Sequence, residues 1–215
     1  MSEKFELIEN DSIEINGHKL YRLRALIDFN DVKAGDLGGY VENEENLSQM
    51  DNCWIYDNAC VYDIAKVYNN ACVSDNARVF DSACVFGNAR VYDNAYVYGN
   101  ASVFDNAHIF GNAYVYNNAC VSDNARVFSN ACVFGSAHIS DDAIIKKYDD
   151  YIVFKNTWSS GRYFTYTKSN KMWRVGCFYG SGDELIQKAY KDSENSGKNY
   201  ELCVNQVKEM ENLEK

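Results

Sequence analysis

The chain has 215 residues, enough for one domain of ordinary size or a compact one with appendages, and its 31 acidic and 21 basic residues give a net charge of −10. The charge is uneven: residues 41–143 hold 13 acidic and 4 basic side chains, whereas residues 144–215 hold 10 and 12, so the middle repels nucleic acid and membrane surfaces and the end is too weakly basic to imply either. No apolar run approaches the ~18 residues that span a bilayer, and the opening MSEKFELIEN lacks the basic and apolar segments of an export signal, so a cytoplasmic location without a membrane partner is expected.

In chain order, SIEINGHKLYRL reads as a hairpin turning at Asn16-Gly17. AGDLGGYVENEENLSQ follows, with Val41 and Leu47 one hexad apart and a two-residue slip before Ile55. Residues 1–52 are therefore expected to form a hairpin and an irregular cap over an open sheet edge.

From Ile55 to Ile145 an aliphatic residue stands at every sixth position, and an alanine follows in the fifth place of each unit from Ala59 to Ala143. Six residues advance a helix by ~600° and would smear these positions around its cylinder, so a helix is excluded. A unit such as VYDNAR instead reads as a short strand with its β-branched residue inward, followed by a two-residue corner of Asp-Asn or Gly-Asn type. Asparagine and glycine tolerate the left-handed backbone of a sharp corner. One unit buries one valine and one alanine, too little for a core of its own, so stability must come from stacking units into a solenoid over residues 53–147.

This pattern, aliphatic first, Asn or Gly fourth and small fifth, resembles the hexapeptide-repeat family of left-handed parallel β-helices, and the match covers residues 53–145 without interruption. The resemblance implies a mainly β fold with left-handed coiling and a triangular section, three hexads to a turn, in which fifteen hexads make about five coils and a prism ~24 Å long. It also implies a homo-oligomer, usually a trimer. The best-known members are acyltransferases that use a histidine as general base at a cleft between subunits, beside a loop thrown out of one coil. Here only His18, His108 and His138 exist; the last two fall on different faces, and no hexad admits a loop. Acyl transfer is kept as an alternative. The hairpin, the GDLGG segment, the Asn-Ala array and the tail together look like a group of phage and prophage proteins. That likeness implies action in a host cytoplasm, with a host protein, one of antiviral defence, as a target.

Cys60, Cys72, Cys84, Cys120 and Cys132 precede buried aliphatic positions and are expected to face outward. Vertical neighbours in a three-hexad turn are separated by three units, and no two cysteines have that separation. Free thiols and no disulfide ladder are therefore expected, and no Cys/His cluster suggests a metal. One face carries Tyr62, Phe80, Tyr98, Tyr116 and Phe134 after its buried residues, and Cys60, Arg78, Tyr96, Tyr114 and Cys132 before them. Only one of these ten is charged. Two readings stand: cross-rung stacking that stabilises an exposed sheet, or a subunit interface or docking surface, which accounts for the missing charge. Imitation of DNA by the acidic corners is the third alternative; B-DNA would present ~14 charges over ~24 Å, well above the −9 of residues 41–143.

Residues 148–215 are expected to form a ββ(β)αα unit, its first helix opened by a capping box at Ser181 and Glu184, its second carrying Tyr200, Val204, Val207 and Glu211 at helical spacing. Trp158, Ser159, Arg162, Tyr163, Tyr166, Trp173 and Arg174 could stack and hydrogen-bond a nucleotide or a peptide, or could make the core of a small sheet. The combined expectation is a non-catalytic solenoid that needs no cofactor and acts by binding a protein or a small ligand.

Overall fold

Sixteen two-residue rungs, from Trp54–Ile55 to Ile144–Ile145, follow one another in the computed structural model, which describes residues 3–213. Each rung stacks in register on the third rung after it. Val61, Val79, Val97, Val115 and Val133 form one column. A second runs from Val67 to Ile139, and a third from Ile55 to Ile145. Three stacks generated by one turn of three hexads define a three-sided solenoid. Its interior is an apolar lattice of these residues and the alanines, each at most 1% exposed. Ordering six residues costs about 6–12 kcal/mol of backbone entropy, against about 3 kcal/mol for burying a valine and the smaller alanine term. A hexad is therefore held by its neighbours above and below.

The stack has six coils rather than the five counted from regular hexads. Strand β1 (Phe5–Ile15) pairs antiparallel with β2 (His18–Ala25), and β2 with β3 (Leu37–Val41). β3 then stacks parallel on Cys60–Val61, while Leu47 bridges Val67, so Val41, Leu47 and Ile55 are the three sides of a first coil. Its first corner is a 3-10 turn at Glu44–Asn46 instead of a regular Asp-Asn pair. There the buried Asn46 amide replaces the missing backbone donors by reaching Asp63 O at 3.0 Å and Ala65 O at 2.9 Å. The two extra residues fall in the next corner, where Gln49 turns back and accepts the Lys4 N–H at 2.8 Å. The GDLGG segment has a steric reason: a Cβ on Gly39 would lie 2.5 Å from both Ala59 O and Ile55 Cγ2.

The corners differ in detail from expectation. It is the first residue of each pair that takes the left-handed backbone, as in Asp57, Asp75, Asp93 and Asp123, with φ between 54° and 59°. From there its carboxylate accepts the backbone N–H one coil on: Asp57 from Asp75, Asp75 from Asp93, Asp93 from Gly111 and Asp123 from Asp141, at 2.9–3.3 Å. The asparagine in second place builds a side-chain ladder instead, Asn52 to Asn70 to Asn88 to Asn106 to Asn124, with links of 3.1–3.3 Å.

At the rung edges and corners the backbone bonds between coils run from N–H to the C=O of the following coil, as in Cys60 to Ala77 (3.0 Å) and Arg78 to Ala95 (2.9 Å), while inside each parallel rung pair one amide donates back. The first end of the stack therefore presents mainly carbonyls and the last mainly amides, and buried groups of either kind need partners. Lys4, only 2% exposed, donates to Cys53 O at 2.9 Å and Met50 O at 3.3 Å, and burial holds its ammonium below the usual lysine range. Arg22 donates to Gly38 O and Asp57 O at 2.9 and 2.8 Å. At the other end the amides of Phe134, His138 and Ile144 donate to Tyr151 Oη, Thr165 Oγ1 and Ser169 Oγ at 3.2, 2.9 and 2.8 Å.

Beyond the last coil, strands Tyr151–Lys155, Tyr163–Thr167, Met172–Val175 and Phe178–Gly180 form an antiparallel sheet. The fourth, three-residue strand makes the unit ββββαα. Helix α1 (Gly182–Asp192) begins with the Ser181/Glu184 capping box, and α2 (Glu194–Leu213) buries Tyr200, Val204 and Val207 against Phe164, Trp173 and Leu185. Among the described residues, no helix is long and apolar enough to cross a membrane.

Gly39→Ala is predicted to cost about 1–3 kcal/mol, because its methyl group overpacks rigid backbone. Urea denaturation reads this as a lower midpoint, and an unchanged midpoint would show that the first coil is not packed against the second as tightly as drawn.

Candidate functional site

The outer surface of the solenoid is organised by the same three-hexad spacing. On the Val61 face, Tyr62, Phe80, Tyr98, Tyr116 and Phe134 stack ring on ring with centroids 4.9–5.4 Å apart and planes within 15°. Ladders also run along the other faces, Tyr68–Phe86–Phe104 (4.8 and 4.9 Å) and Tyr92–Phe110–Phe128 (4.9 and 4.7 Å). Stacking is thus a general device of this solenoid and does not by itself mark a docking surface. What sets the Val61 face apart is a second aromatic column, Tyr96 on Tyr114 at 5.1 Å; its one charge is the Arg78 guanidinium, 5.7 Å from the Tyr96 ring. The ladder on the Val67 face gives way to Ser122 and Ser140 at its later rungs and that face carries one charge, Lys66 at its first, whereas the face of Val73 carries Arg90, Arg126 and Lys146.

The chain covers part of this face itself. Tyr62 and Cys60 are each 3% exposed beneath Leu20 and Tyr40, so neither faces solvent as expected from the repeat alone; the β1–β2 hairpin folds over them. Phe80, Tyr96, Tyr98 and Tyr116 remain half-buried, and Tyr114 and Phe134 are exposed.

The hairpin is clamped by His18. Its Nδ1 meets Glu42 Oε1 at 3.0 Å and its Nε2 meets Asp63 Oδ1 at 3.6 Å, while the ring lies 5.2 Å from that of Tyr62. The three side chains are of metal-ligand type and lie together. However, each ring nitrogen faces a different carboxylate, which suits an imidazolium bridging two anions better than a ligand that must offer a bare nitrogen to a metal. The hydrogen bond to Glu42 and the charges of Asp63 and Glu42 raise the His18 pKa despite some desolvation.

The other two histidines lie apart. His108, on the Val73 face, is paired in register with Arg90 and Arg126. Burial and then the two guanidinium charges lower its pKa. His138 stacks directly after Cys120 on the Val67 face, under the tail. Burial followed by Arg174 lowers its pKa, and burial pushes the Cys120 thiol up to about 11. This Cys-His pair is thus held neutral, the reverse of the thiolate–imidazolium arrangement of an activated nucleophile.

The tail candidates divide. Trp173 and Tyr166 are core residues, 2% and 3% exposed, with the Tyr166 hydroxyl donating to Glu211. Trp158 packs edge-on against Tyr200 at 4.9 Å, and Ser159 donates through N–H and Oγ to Asn156 Oδ1 at 2.9 and 3.1 Å. Arg174 lies half-buried between Thr165 and Tyr179 in neighbouring strands. Arg162 and Tyr163 are exposed. The structure therefore gathers Trp158, Tyr166 and Trp173 into a core rather than a site and leaves Arg162 and Tyr163 outside it. Sequence reasoning missed His18, whose role depends on a hairpin folding onto two carboxylates from later parts of the chain.

The fold defines a three-sided hexapeptide-repeat β-solenoid with a capping unit at each end. The chain matches no protein-family model. Over 42 residues, 20% of its length, it is 48% identical to a protein of Escherichia coli (strain K12) named uncharacterized acetyltransferase YdcK, and the match spans 13% of that protein.

All eight cysteines are free, with Cys177 exposed and Cys53 and Cys60 buried. Titration with a chromogenic disulfide at pH 8 is expected to modify Cys177 first and to reach eight thiols only on denaturation. An intact mass ~2 Da low per bridge would refute the stacking argument against disulfides.

Because the His18 pKa is raised in the fold, its contribution is complete below the unfolded value near 6.5 and is lost as pH rises through the folded value. Amide exchange across β1 and β2 should therefore speed up above that folded value by more than the intrinsic rate increase. His18→Gln should abolish the excess, and persistence of the same pH step in His18→Gln would rule out the clamp.

Proposed function

We propose that the protein is a non-catalytic β-solenoid that acts by binding, docking through the Val61 face and displaying its C-terminal unit at one end of the prism. The observation that carries this reading is the second aromatic column on the Val61 face, when the ladders on the other two faces show that stacking does not require one. A second copy of the chain is the simplest occupant, since closed symmetry lets one patch satisfy several chains. The likeness to phage and prophage proteins adds a host protein, in a host cytoplasm, as the further occupant. The corner carboxylates support this reading over imitation of DNA, because they are used to hold backbone amides of the next coil.

Acyl transfer is the second reading, favoured by the name of the Escherichia coli relative and by the resemblance to hexapeptide-repeat acyltransferases. Thermal stabilisation by coenzyme A, or turnover of acetyl-coenzyme A with an amine or hydroxyl acceptor, would support it against the binding reading.

Sedimentation of the wild type and of a Tyr98→Glu, Tyr116→Glu double variant tests the docking face. Two carboxylates unpaired in a desolvated contact are expected to weaken association by about two orders of magnitude while the folded coil, whose interior is untouched, persists. A monomeric wild type that captures no partner through these residues would reduce the face to a stacking ladder.

A further inference from the structure

The Val61 ladder stops at Phe134. The next position in that column falls at Ile152, in the tail, so the last ring has no ring stacked beyond it and is 44% exposed. Between this rung and the tail sheet lies a cleft of about 500 Å³, walled by Phe134, Tyr148, Tyr163 and Val153, with Ser136 at its edge. Tyr148 and Tyr163 are 74% and 49% exposed, so three large rings converge on one concavity while staying open to solvent. Small-molecule sites have volumes of about 300–1,000 Å³. This one already carries the geometry that suits a planar guest, since Tyr116 and Phe134 stack with centroids 5.4 Å apart and a further ring on the free side of Phe134 would continue the series.

A cation stands at the same rim. Lys155 is paired in register with Tyr163, and its ammonium lies 5.5 Å from that ring. Arg162, the next residue before Tyr163, is also exposed, and neither cation is ion-paired to a carboxylate among the described residues. Aromatic walls, a hydroxyl and a flanking unpaired cation favour a ring that is planar, polar at its edge and anionic at its tail.

We propose that this cleft binds a nucleotide, the base stacked on Phe134 between Tyr148 and Tyr163 and the phosphate directed to Lys155. Stacking on aromatic side chains accepts any base, because every base has a π-face. Lys155 acts as a point charge rather than a cradle of backbone amides, so one phosphate is recognised and affinity is modest. The proposal goes beyond docking through the Val61 face and does not require it.

Calorimetric titration of the full chain with adenosine 5′-monophosphate, adenosine and inorganic phosphate tests it. The nucleotide is expected to bind, adenosine to bind more weakly, and phosphate alone to give no measurable heat. A Tyr148→Ser, Tyr163→Ser double variant should weaken the nucleotide by about tenfold or more, the loss that follows from removing base stacking. Both side chains are exposed, so its melting temperature and sedimentation should match the wild type, which separates this cleft from the docking face. Lys155→Gln should weaken the nucleotide several-fold and leave adenosine unchanged. Three results would overturn the proposal: no saturation by any of the four common ribonucleoside monophosphates at millimolar concentration, wild-type affinity in the folded double variant, or equal affinity for p-cresol, which would assign the cleft to an aromatic side chain of a protein partner.

Discussion

The hydrogen bonding between stacked coils is the constraint from which the rest of this molecule follows. Each coil gives most of its inter-coil amides forward and receives those of the coil before it, so no coil is satisfied alone and the two ends differ in the groups they leave open. The carbonyl end is met by cations, Lys4 and Arg22, folded in with the hairpin. The amide end is met by oxygen acceptors, Tyr151, Thr165 and Ser169, folded in from the tail. The appendages are therefore parts of one hydrogen-bonded object, and Lys4, fully buried, has a reason to be there.

The same repeat governs the surface. A turn of three hexads puts equivalent side chains about one strand spacing apart, so the corner aspartates become acceptors for the next coil and the aromatics become ladders. The acidic composition is in good part the price of sharp corners, since aspartate both tolerates the left-handed backbone and fixes the neighbouring amide. A functional reading has to rest on what the repeat does not demand. On that standard the second aromatic column of the Val61 face and the rings left open past Phe134 stand out, whereas the ladders themselves do not.

Much of the fold is legible in the sequence because it is periodic. Ile55 to Ile145, the alanines and the Ser181/Glu184 capping box are all set by spacing, and each stands where spacing puts it. The first coil is only half visible: Val41 and Leu47 carry the period, but the turn at Glu44–Asn46 and the Asn46 amide that replaces backbone donors leave no pattern. The site residues are harder. Tyr62 looks like every other ladder position and is buried only because a hairpin from much earlier in the chain folds across it. Tyr166 and Trp173 share their composition with a binding site and differ from one only in facing α2. Lys4 and His18 act through contacts with residues remote in the chain, Cys53 and Glu42, which no local pattern encodes.

Three hexads close one turn, and this ties the length of the chain to the azimuth of its ends. Gain or loss of a whole turn would lengthen or shorten the prism and leave the tail over the same side. Gain of a single hexad would swing the tail by a third of a revolution, away from the Val61 face and onto another, with every buried contact of the stack preserved. Orientation in this protein is therefore stepped rather than continuous, and the relation between its aromatic face and its C-terminal unit is written in the number of repeats modulo three.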